Sequence, residues 1–146
     1  MSAVFSSLPA RRVSTPSALR PRPLIRRSHV LRLFLLAGLV AAMAVAATVA
    51  NPSAYSAAEP ELALLLRGMA VIKAGIALVA LALSFWRFGQ PVSTSAALGY
   101  ALGVWALGGA TVLIWFLSVI PAAALLFHLG VFGLLALAWR EGRARA

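Results

Sequence analysis

Four long apolar stretches, separated by short polar or proline-containing links, organise this chain: Leu33 to Ala50, Leu62 to Trp86, Ala96 to Leu117 and Ala122 to Trp139. A hydrocarbon core of about 30 Å takes roughly 20 apolar residues in helical form. Each stretch reaches or nearly reaches that length. The pattern predicts an all-α fold, an integral membrane four-helix bundle over residues 31–140. A basic tail, residues 1–30, precedes it, and a short basic tail, residues 141–146, follows.

The leading tail is rich in Ser, Pro and Arg, and Pro9, Pro16, Pro21 and Pro23 interrupt any helical pattern. It reads as a disordered cytoplasmic arm whose arginines are drawn to anionic lipid, at about 1 kcal/mol each near the surface. The alternatives for such a composition are a nucleic-acid arm or an organelle transit peptide. No nucleic-acid partner is expected. The first stretch also resembles a signal sequence, with Thr48-Val49-Ala50 as a small-residue cleavage site. Signal cores run about 7–15 residues, and this stretch is longer, so an uncleaved span is the expectation.

Composition strengthens the membrane reading. Hydrophobic residues make up 62% and charged residues 11% of the chain, with a mean hydropathy of +0.95. A soluble domain carries about a quarter charged residues. Cysteine is absent, which excludes disulfides, iron–sulfur clusters and thiol catalysis. The net charge of +10 is unevenly spread. Arg11, Arg12, Arg20, Arg22, Arg26, Arg27 and Arg32 precede the first span. Arg87 lies between the second and third, and Arg140, Arg143 and Arg145 follow the fourth. The link from Asn51 to Glu61 has no basic residue. Lys and Arg collect on the cytoplasmic side, so both termini are expected there (N-in, C-in), in a bacterial inner membrane. The pairs Trp86-Arg87 and Trp139-Arg140 mark the inner boundary, and Trp115 the outer one.

Helix association in lipid depends on close approach at small residues. The third stretch carries Ala96, Gly99, Gly103, Ala106 and Ala110 at steps of three and four, one stripe of a helix. This is either packing inside the monomer or a seam to a partner. The second stretch has Gly68, Gly75 and Ala82 on one side and Ala70, Lys73, Ala77, Ala80 and Ser84 on the other. Small residues on both sides suggest that this helix is central and that Gly68 and Gly75 pack. The first stretch offers Ala37, Ala41, Ala44 and Thr48.

A few polar residues are out of place in lipid. Lys73 lies about 16 Å along the helix from Leu62, where a charge costs about 2.5–3.5 kcal/mol. The acids Glu59, Glu61 and Glu141 all lie outside the four stretches, so it has no buried acidic partner within its own chain unless a loop glutamate folds inward. It is either an anion-binding or partner-binding group, or a lysine about 9 Å below Arg67 that snorkels outward. Arg67, His128 and Thr111 fall in the same outer layer and complete a candidate polar or anion-binding set. Haem would need an axial histidine, and His128 has no second histidine on its side. No cofactor is expected. No P-loop, dinucleotide fingerprint, zinc motif or carboxylate pair appears, so the chain is not expected to be an enzyme. The preferred function is an accessory, assembly or interaction subunit whose partners are membrane lipids and another membrane protein or itself. The alternative is a small transporter or anion-binding bundle organised around Lys73, Arg67 and His128.

Overall fold

A computed structural model describes residues 24–50 and 59–143. Four helices follow one another: α1 (Leu24–Val49), α2 (Pro60–Arg87), α3 (Thr94–Trp115) and α4 (Ile120–Arg143). All four are long and apolar enough to cross a membrane. Most of the basic tail, the link over 51–58 and the last three residues lie outside the described residues.

Local chemistry sets the helix ends, and they differ from the apolar stretches. The helix α1 begins at Leu24, directly after Pro23 and nine residues before the apolar run. Arg26, Arg27 and Ser28 are acceptable helix formers, and hydropathy alone does not register them. Pro60 opens α2 in its first turn, where the missing N–H costs nothing. Ser93 caps α3, its hydroxyl accepting from the Ala96 N–H at 3.3 Å. The helix α4 runs to Arg143, so Glu141 lies within it, and Glu61 lies in the first turn of α2. Hydropathy alone puts both acids outside the helices, and the structure corrects this.

The turn between α3 and α4 is strained. Ser118 N–H donates to Leu113 O and Leu117 N–H to Ile114 O, each at 3.0 Å, which closes α3 with a paired C-terminal cap. That cap needs a left-handed residue, and Leu117 occupies it at φ 55° where glycine is usual. Its side chain is buried, which compensates. Val119 has φ 43° and is 56% exposed, so no burial offsets its strain.

The bundle is built on α3. Of its apolar window 56% is buried, against 11% for α1, 11% for α2 and 17% for α4. The helices α1, α2 and α4 each pack on α3 and hardly on one another. This corrects the expectation that the second helix is central. The α3 stripe packs within the monomer. A Cβ on Gly103 would lie 2.6 Å from Leu134 Cγ, and one on Gly99 2.9 Å from a Leu137 methyl. Across the same seam a Cβ on Gly130 would lie 3.1 Å from the Gly103 carbonyl oxygen. Glycine on both helices permits this approach.

On another face, Trp105 of α3 lies over Gly38 of α1 and donates its indole N–H to Leu35 O at 2.9 Å. Leu39 of α1 fills the space at Gly108. The face of α1 that packs therefore carries Leu35, Gly38, Leu39 and Ala46, while Ala37, Ala41, Ala44 and Thr48 are exposed. On α2 the inward face is as expected: Ala70 and Ser84 are buried, and Ala77 and Ala80 pack against Leu107 and Phe127. Gly68 and Gly75 are corrected. Both are exposed, and a Cβ on either would meet nothing within 4 Å. Alanine and glycine cost little on an exposed apolar face, so small-residue spacing does not separate a seam from a surface.

Three variants test these assignments by thermal unfolding in mild detergent. Gly103→Leu forces Leu134 and the α4 backbone away and should cost about 1–3 kcal/mol, whereas Leu102→Met on the exposed side should be near neutral. Equal midpoints for wild type and Gly103→Leu remove the seam. Val119→Gly should raise the midpoint by the equivalent of about 1 kcal/mol, since it relieves a left-handed β-branched residue. A lower midpoint contradicts the strain assignment.

Candidate functional site

Because α2 and α4 both rest mainly on α3 and touch each other at few points, a groove of about 720 Å³ opens between them. Ile76, Val79 and Leu83 form one wall, Leu135 and Ala138 the other, and Leu107 of α3 the floor. The lining is almost wholly apolar until the end marked by Arg87.

That end holds a polar cluster that the sequence did not disclose. Arg87 Nε donates to Glu141 Oε2 at 2.9 Å, and the Tyr100 hydroxyl donates to the same oxygen at 3.3 Å. Arg87 Nη1 also faces Gln90 Oε1 and Pro91 O, each at 3.4 Å. Arg87 is 9% exposed. It is therefore a buried tie between α2, α3 and α4, a role that its Trp-Arg pair does not announce. Trp86 and Trp139 remain exposed, as interfacial anchors require. Beside the cluster, Arg32 of α1 donates from Nε to Phe85 O at 3.2 Å and lies 4.5 Å over the Phe85 ring. It meets one of the last carbonyls of α2, where a cation is favoured. One missed signal was available: Glu141 is an acid within a strongly basic segment, four residues after the apolar Leu137.

The four candidate polar residues do not form one site. Arg67 lies 5.3 Å over the Trp115 ring, joining α2 to the end of α3. Thr111 returns its hydroxyl to its own helix, donating to Leu107 O at 2.8 Å. His128 is exposed, with Nδ1 2.7 Å from Ala124 O. It faces away from the bundle and cannot line an internal pocket with the others. Lys73 is half-buried, and its ammonium lies 4.1 Å over the Phe127 ring of α4. Phe127 is itself buried. Lys73 thus turns inward to an aromatic face. Among the described residues no group of three or more His, Cys, Asp or Glu converges on a metal position.

No protein-family model matches the chain, and no curated protein or solved structure matches it. The class is therefore given by the fold: four apolar helices of spanning length, the make-up of a multi-pass membrane protein.

The cluster at the groove's end makes a specific energetic prediction. Glu141→Leu leaves Arg87 largely buried without its carboxylate and should destabilise. The loss should stay below the about 3–5 kcal/mol of a fully buried pair, because the side chains keep 11% and 20% exposure. The double variant Arg87→Met/Glu141→Leu should be more stable than the sum of the two single losses implies. Additive losses in a double-mutant cycle would show that the pair is not coupled.

Proposed function

We propose that the chain is a four-span protein of a bacterial inner membrane, with both termini cytoplasmic, and that it serves as a non-catalytic accessory or interaction subunit. The observation that carries this reading is the uncovered apolar surface. The outer faces of α1, α2 and α4 present residues such as Val40, Leu64, Leu78 and Leu129 at 60% exposure or more, and the groove adds a concave face. A surface of this kind is covered by lipid or by another membrane helix. The spacing of boundary groups supports insertion. Arg67, beside Trp115, and Arg87 are twenty residues apart on α2, about 30 Å, which equals a hydrocarbon core. Arg32, Arg87, Arg140 and Arg143 all lie at the end of the bundle expected to face the cytoplasm.

The alternative, a transporter or anion-binding bundle around Lys73, Arg67 and His128, is less well supported. Those residues engage Phe127, Trp115 and an outward surface respectively. A conducting path needs converging polar groups.

Reporter fusions at Ser7, Ser56, Gln90 and Gly142 should read inside, outside, inside and inside. An outside signal at Gln90 or Gly142 defeats the topology. Purification of the full chain in mild detergent should recover a second membrane protein in fixed stoichiometry. Recovery of a lone chain from gently extracted native membranes defeats the accessory function.

A further inference from the structure

Packing separates the one acid of α4 from the arginines beside it in sequence. Glu141 turns into the bundle, where Arg87 and Tyr100 hold it. Arg140 and Arg143, in the last turn of α4, stay on the exposed side. Neither makes a hydrogen bond or ion pair among the described residues. The carbonyl end of the helix offers about half a negative charge, against two cations. Arg143 lies 4.0 Å over the Trp139 ring, and a ring face leaves all five guanidinium N–H donors open.

The same face of α4 continues as apolar surface. Leu125, Leu129, Phe132 and Trp139 precede Arg143 at steps of three, four and seven, and each is more than 60% exposed. From Phe132 to Arg143 the face runs eleven residues, about 16 Å, which is half a hydrocarbon core and so one leaflet. It is apolar along that depth and cationic at its end, which complements an anionic phospholipid. We infer that this face is a docking surface for such a lipid, its phosphodiester held by Arg140 and Arg143 and its acyl chains lying along Trp139 and Phe132. The inference rests on the membrane reading above and adds the charge of the lipid and the residues that select it. The arginine fork suits phosphate oxygens, and an indole ring at the boundary is at home beside a headgroup.

Depth and charge separate the possible occupants. The arginines lie one and four residues beyond Trp139, at the level where phosphate sits. A neutral lipid covers the apolar face but leaves both guanidinium groups with a zwitterion of no net charge. A parallel second copy brings no available acid to this level, because its Glu59 and Glu61 lie at the start of α2 and its Glu141 is held by its own Arg87. One anionic phospholipid meets the apolar face and the two cations together.

The test uses the full chain in neutral detergent, offered phosphatidylglycerol and phosphatidylcholine of the same acyl chains together, with bound lipid counted by native mass spectrometry. Phosphatidylglycerol should be preferred as the first bound molecule by roughly tenfold, corresponding to about 1.4 kcal/mol. Arg140→Gln/Arg143→Gln should abolish the preference. Arg11→Gln/Arg12→Gln, which removes the same charge from the leading tail, should keep it. Equal loading of the two lipids by the unaltered chain overturns the inference, and this comparison needs no variant to fold. An undiminished preference in the α4 variant, or an equal loss in the tail variant, overturns it as well, as does loss of the preference to inorganic phosphate at the concentration of the lipid. In native membranes a photoreactive benzoylphenylalanine at Phe132 should capture phospholipid, and capture of a protein there instead overturns the lipid assignment. Because the binding is read in detergent, it is independent of topology. An outside signal from the Gly142 fusion with the preference intact removes the topology and leaves the site. Equal loading with an inside signal removes the site and leaves the topology.

Discussion

Space left at glycine, and filled by a side chain of the facing helix, is the constraint on which this fold depends. In a membrane, apolar burial gives no preference for a neighbouring helix over a lipid chain. Helices associate only where they can come near enough for dense dispersion contact, or where polar groups meet. The helix α3 supplies such places on two faces, Gly99 and Gly103 towards α4 and Gly108 towards α1. Its Trp105 then fills the notch at Gly38 and fixes α1 in register through a single indole hydrogen bond. The remaining helix, α2, has its glycines on the wrong side. It reaches α3 through alanine and aromatic contacts, such as Ala70 against Ile114 and Phe88 against Tyr100. The groove is a direct consequence. Two helices held by one centre, without a seam of their own, diverge.

The charged residues tie the helices together. Arg32, Arg87, Glu141 and Tyr100 join all four helices at one end of the bundle. Arg67 over Trp115 joins α2 and α3 at the other. These ties compensate for the weak packing of α2, and they lie at the two ends of the bundle. Basic residues therefore hold the helix that glycine does not.

Hydropathy made the number and order of the helices legible, because length against bilayer thickness is a strong physical filter. Their ends were less so. Leu24 to Arg32 is helical but polar, and Glu141 was read as tail when α4 runs one turn further. Small-residue periodicity identified the α3 seam and the inward face of α2, yet it misassigned Gly68, Gly75 and the alanines of α1. Glycine and alanine are tolerated both in a tight seam and on an exposed apolar surface. Only the facing side chain distinguishes the two, as Leu134 does at Gly103, and that is not written in the helix itself. The polar candidates failed to converge for a similar reason. Spacing gives depth, which placed Arg67, Lys73 and His128 in neighbouring layers, but their directions depend on how each helix rotates on α3.

Lys73 is where these strands meet. A lysine this far along an apolar helix costs about 2.5–3.5 kcal/mol on insertion. A desolvated cation over an aromatic face recovers about 2 kcal/mol, so the Phe127 ring at 4.1 Å offsets much of the cost and leaves a remainder. A snorkelling lysine would remove that remainder by extending to the interface, but this one is directed to a buried ring on the neighbouring helix. The arrangement keeps the charge inside the fold, against the Phe127 ring of α4, and so adds a contact between α2 and α4.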